Sequence, residues 1–136
     1  MAWKMQWFDD DHKILLFTVE KGSTWNDFDI AMNKYSLELA ASEKKIHVII
    51  YNEYGFPNSN PLPHIKTQMY KLSLFKNRGL LITVTPEHSA SFVLTIAEFV
   101  FRFMRLEMKQ GVFVKTMDEA LARIQSEEMK SIKAEQ

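Results

Sequence analysis

The sequence predicts an α/β protein: a mixed, mostly parallel five-stranded sheet with helices, in the element order β-β-α-β-α-β-α-β-α. Three observations carry this reading. Short β-rich runs recur at residues 3–8, 13–20, 46–51, 80–84 and 112–114. Apolar residues at helical spacing fill the intervals after the second run. Turn and breaker residues, among them Asp9-Asp10-Asp11, Gly22, Pro86 and Gly111, fall between the segments. Strands that alternate with helices imply right-handed crossovers, while the two opening runs, too close for a crossover, form a hairpin that supplies an antiparallel edge.

Taken in order, residues 3–8 alternate bulky and polar side chains, and the aspartate cluster turns the chain into the run 13–20. Thr24 is an N-cap with Asp27 three residues on, and Phe28, Ala31, Met32, Tyr35 and Leu39 recur at helical spacing, which predicts a helix over 25–41. Residues 46–51 are the third strand. Ile65, Met69, Leu72 and Phe75 form the stripe of a second helix, with Gly79 read as its C′ residue. Residues 80–84 are a continuous apolar strand of the kind buried on both faces of a parallel sheet. A third helix is predicted over 91–109, ended by Gly111, and 112–114 form the fifth strand. Thr116 with Glu119 is a capping-box pattern that opens a last helix through Ala120, Leu121 and Ile124, with a polar tail over 126–136 that is expected to fray.

Composition narrows the function classes. At 136 residues the chain is expected to form one domain, 1–136, burying roughly two-thirds of its unfolded surface. Seventeen basic side chains balance seventeen acidic ones, so no global field draws the protein to nucleic acid or to an anionic membrane. The absence of cysteine removes disulfides, thiolate catalysis and Cys-ligated metals. Acidic residues follow the N-terminal tryptophans before a signal-peptide core can form, and the most apolar stretch, 91–104, is interrupted by Glu98 and Arg102 and is too short for a bilayer of about 30 Å. A cytoplasmic protein without membrane insertion is expected.

The stretch "YNEYGFPNSNPLPHIKTQ", residues 51–68, departs from this regularity. It leaves the third strand through three prolines, Pro57, Pro61 and Pro63, with Ser59 held between Asn58 and Asn60. Asn60 or Ser59 is placed to cap the second helix, with Pro61 or Pro63 in its first turn, and this capping and rigid-loop chemistry explains every residue of the stretch. A phosphate on Ser59 would meet the positive end of that helix, so a modifiable switch is chemically compatible with the same loop.

The element order, the hairpin start, the loop-plus-helix after the third strand and the short fifth strand running into "TMDEALARI" resemble the STAS fold of anti-sigma factor antagonists and of the cytosolic domains of sulfate transporters. The opening "WFDDDHKILLFTVEKGSTWNDF" looks like a small bacterial branch of STAS-like proteins with a Trp-rich N-terminus. The resemblance covers nearly the whole chain and implies a regulatory protein-interaction module. It further implies a protein partner such as a regulatory kinase or an anti-sigma-like factor; together with the missing catalytic motifs, it leads us to expect no enzymatic activity, cofactor or metal. In regulatory members a serine or threonine following an aspartate, at the start of the helix after the third strand, is phosphorylated by a partner kinase. Here the matching position is Ser59, with Asn58 where the aspartate would stand.

Two other readings draw on the same sequence. An enzyme would draw on the carboxyl ends of the parallel strands, where Asn52, Glu53, Tyr54 and His64 come from one loop and Glu87, His88 and Ser89 from the next. No nucleophile elbow, metal-binding histidine pair or glycine-rich phosphate loop accompanies them, so Tyr54, Asn58, Asn60, His64 and His88 are taken as ligand or switch-loop residues without a catalytic assignment. His12 and His47 are expected at the surface. In the predicted third helix the apolar arc is wider than the ~100° needed to pack on a sheet. Leu94, Phe101 and Met108, at seven-residue spacing, mark its far flank. Packing within the domain accounts for such a flank, and an exposed one would serve a homodimer or line a cavity for an apolar small molecule or lipid. Trp3 and Trp7 share a strand face with Met5 and are expected to cover the sheet edge or the first helix.

Overall fold

A computed structural model describes residues 3–54, 57, 59–85 and 111–135. Strands β1 (Lys4–Trp7), β2 (Ile14–Thr18), β3 (Ile46–Tyr51), β4 (Arg78–Val84) and β5 (Gly111–Val114) form one sheet in the order β1-β2-β3-β4-β5. β1 pairs antiparallel with β2, and the remaining neighbours pair in parallel. The described helices are α1 (Trp25–Ala40), α2 (Leu62–Ser73) and α3 (Met117–Glu135). The predicted hairpin, mixed sheet and element types at these positions are therefore found. The predicted third helix, including Leu94, Phe101 and Met108, lies outside the described residues, as do Phe56, Asn58, Glu87, His88 and Ser89.

Alternation along each strand divides the core into two layers, because successive side chains point to opposite faces. Leu15, Phe17, Val48 and Ile50 lie with Phe28, Met32 and Leu39 of α1 and Ile65, Met69 and Leu72 of α2. Leu16, Ile49, Leu80, Ile82 and Val84 lie with Ala120 and Ile124 of α3. Each fully buried aliphatic or aromatic side chain contributes about 1.5–3 kcal/mol relative to exposure. Trp3 closes the edge of the first layer, its ring edge-on to Phe17 at 6.1 Å and to Phe28 at 5.9 Å.

Local chemistry fixes the element ends. Thr24 and Asp27 complete a reciprocal capping box on α1: Asp27 N donates to Thr24 Oγ1 and Thr24 N donates to Asp27 Oδ2. α1 has no basic residue in its last turn, and the work falls to Asn77, whose Nδ2 donates to the carbonyls of Leu39, Ser42 and Lys44. On α3, Glu119 N donates to Thr116 Oγ1, whereas the Glu119 carboxylate accepts from Lys115 N rather than from the Thr116 backbone. His12 takes a positive φ of 57° in the hairpin turn and stacks on Trp7 at 4.4 Å.

Two expectations are corrected. Gly79 is not the C′ residue of α2, which ends at Ser73 with Leu74 as its C-cap; Gly79 is inside β4. Arg78 supplies the termination instead, donating to the carbonyls of Ser73 and Phe75. His47 is not a surface residue but fully buried, with Leu80 N donating to its Nδ1 at 2.9 Å and its Nε2 2.8 Å from Glu128 Oε1 of α3. Because Nδ1 accepts, the ring hydrogen is on Nε2, which donates to the glutamate.

Candidate switch loop and helix edge

Parallel β2 and β3 lead into α1 and α2, so both helices begin at the carboxyl edge of the sheet, where open α/β folds collect ligands and partners. At that edge Asn52 is buried; its N–H donates to Val84 O, and its Oδ1 accepts from Tyr54 N at 3.1 Å. This local bond turns the chain out of β3. Glu53 and Tyr54 then border an open cleft of about 410 Å³ that Lys4, Glu20, Lys21 and Tyr51 also line.

Of the loop that follows, Pro57 and Ser59 are described, and Ser59 is exposed. Asn60 Oδ1 accepts from Leu62 N at 3.1 Å, so the capping role expected of Asn60 or Ser59 falls to Asn60, at the first helical amide. Pro61 occupies the N-cap position without a side-chain bond, and Pro63 is the second residue of α2, where its missing N–H costs little. The first turn of α2 carries no acidic side chain. The positive end of its dipole is therefore uncompensated from within the helix.

His64, the third residue of α2, does not join Glu53. Its Nδ1 is 2.6 Å from Asp29 Oδ2 of α1, and Gln68 Nε2 donates to Asp29 Oδ1 at 3.1 Å. Trp25 lies along the His64 ring, centroids 6.2 Å apart and planes 21° from parallel. His64 and Asp29 are each 28% exposed at the side chain, so the pair is partly open to water. Asp29 and Gln68 were not among the expected site residues. Gln68 gave one signal: it is a polar residue beside Ile65 and Met69 on the apolar face of a helix, and it is buried. Among the described residues no group of three or more His, Cys, Asp or Glu could hold a metal ion, and no helix is long and apolar enough to cross a membrane.

No family model matches the sequence, and no curated protein matches it. Among solved structures, the phosphorylated form of the Bacillus cell fate determinant SpoIIAA is similar, with a TM-score of 0.56 and 16% identity, over 90% of this chain and 99% of that one. The fold is STAS-like.

Proposed function

From a STAS-like fold with an exposed serine ahead of a helix whose own first turn holds no acidic side chain, we propose that this protein is a non-enzymatic regulatory module of the cytoplasm. It works by contact with a protein partner through the 57–61 loop and the first turns of α2. The observation that carries the reading is the placement of Ser59, solvent-exposed and two residues before a proline N-cap that makes no side-chain bond. A phosphate on Ser59 would bring negative charge to the positive end of α2, and the flanking prolines limit how far the loop can move to avoid it. Tyr70 and Leu74, 61% and 68% exposed at the far end of α2, add apolar contact area to the same helix. The partner would be a kinase or an anti-sigma-like factor, and the chain itself a homodimer through the flank of Leu94, Phe101 and Met108.

Native and denaturing mass spectra of protein purified from its own host test this directly. An acid-stable phosphate mapped to Ser59, and a partner retained by Ser59→Ala but released by Ser59→Glu, are the expected results. A chain that is never modified there, and whose partner is indifferent to Ser59→Glu, sinks the switch. A Phe101→Glu variant that stays folded but turns monomeric supports the dimer; a folded variant that remains dimeric removes that surface from it.

A further inference from the structure

We propose that His64 is a second covalent acceptor site, taking a phosphoryl group on Nε2 from a donor of the acyl phosphate or phosphoramidate class. The inference goes beyond the serine switch and does not depend on it. Its basis is the Asp29–His64–Gln68 arrangement, in which every element orients one nitrogen. Asp29 Oδ2, 2.6 Å from Nδ1, fixes the ring hydrogen on Nδ1 in the neutral ring, so the lone pair is on Nε2. Nε2 has no partner among the described residues and the side chain is 28% exposed. Trp25 lies against one ring face, and Gln68 Nε2 holds the other carboxylate oxygen at 3.1 Å. That second contact carries a cost: Gln68 Oε1 is buried with no hydrogen-bond partner. An amide that leaves its own acceptor bare in order to hold a carboxylate calls for an explanation, and a role in orienting the imidazole supplies one.

A carboxylate behind an imidazole is the arrangement that activates histidine as a base or nucleophile. The surroundings narrow the choice. A metal site needs further ligands, and none cluster here among the described residues. A nucleophile at an open helix edge suits a group delivered from outside. The first turn of α2 beside it carries no acidic side chain of its own, so its positive end partly offsets the Asp29 carboxylate that an anionic donor would meet. In the step, the Nε2 lone pair attacks phosphorus, a P–N bond forms, and the bond from phosphorus to the donor's leaving atom breaks, its electron pair departing with that atom. The hydrogen stays on Nδ1, and Asp29 stabilises the positive charge that develops on the ring.

The test incubates the intact protein with phosphoramidate and follows acid-labile phosphate by 31P NMR and by mass spectrometry at neutral pH. His12 is the internal control: it is exposed, and its ring stacks on Trp7. His47, buried with both nitrogens engaged, should stay unlabelled. Label on His64 ahead of His12, abolished in His64→Asn, is expected. Asp29→Asn should slow it by about tenfold, the scale at which an orienting carboxylate behind a histidine registers. Phosphate on His64 is acid-labile and phosphate on Ser59 acid-stable, so the two sites fail independently. No label on His64, equal labelling of His12 and His64, or a folded Asp29→Asn variant that reacts at the wild-type rate would overturn the assignment.

Discussion

Gly79 lies against the buried ring of His47 so closely that a Cβ at that position would stand 2.8 Å from His47 Cγ. The ring cannot retreat, because Leu80 N and Glu128 Oε1 hold its two nitrogens at 2.9 and 2.8 Å. Gly79→Ala should therefore destabilise the fold by about 1–3 kcal/mol through overpacking. Urea unfolding measures this, and an unchanged midpoint would show that the strand or ring moves freely.

Glu128 serves as an acceptor, which separates two substitutions. Glu128→Gln keeps an oxygen for His47 Nε2 and should cost less than about 1 kcal/mol, whereas Glu128→Leu leaves a buried donor unpaired and should cost about 1–3 kcal/mol. Hydrogen exchange over the second half of α3 should quicken only in the leucine variant. Equal protection in both would assign the docking of that half to packing alone.

Tyr35 donates to Ile46 O at 2.6 Å and accepts from Gly79 N at 3.3 Å. Burial pushes its hydroxyl well above the ordinary tyrosine range, outweighing the opposing pulls of the Gly79 bond and the Arg78 charge. Below about pH 10 the phenol is neutral in both states. Above it the unfolded chain releases its proton first, so stability falls as pH rises, by up to about 1.4 kcal/mol per unit. Unfolding of wild type and Tyr35→Phe between neutral and alkaline pH checks the sign: their stability difference should shrink only at the alkaline end.

Asn77 donates to three carbonyls at the end of α1, at 2.9 to 3.0 Å. Asn77→Ala should cost about 1 kcal/mol by removing the donor. Asn77→Asp should cost more, since it sets a negative charge against carbonyl oxygens at the negative end of a helix. Thermal melts rank the two, and an aspartate variant as stable as alanine would contradict the electrostatic account.

What the sequence revealed, and what it concealed, follows from separation along the chain. The Thr24 cap with Asp27, the hairpin and the third strand at 46–51 are written in contiguous residues and were found where expected. Gly79 misled because a glycine after a helical stripe looks like a C′ residue; the stripe's last member, Phe75, packs on the core from beyond the helix end. His47 misled because its partner Glu128 is 81 residues away. The Asp29–His64 pair joins residues 35 apart on different helices, and neither position is unusual in its own segment. The loop chemistry of Asn60 and Pro63 was legible, being local.

The sheet runs in chain order, β1-β2-β3-β4-β5, so every strand is laid beside one already made. A chain emerging from the ribosome can thus extend its ladder without reserving a gap for a later strand. The imidazole of His47 follows a different schedule. It enters the sheet with β3 but receives its acceptor only when Glu128 has been synthesised, 81 residues later. A nascent chain that has completed β3 but not α3 thus carries an unanswered donor on the sheet face that α3 covers, and the arrival of the last helix closes it.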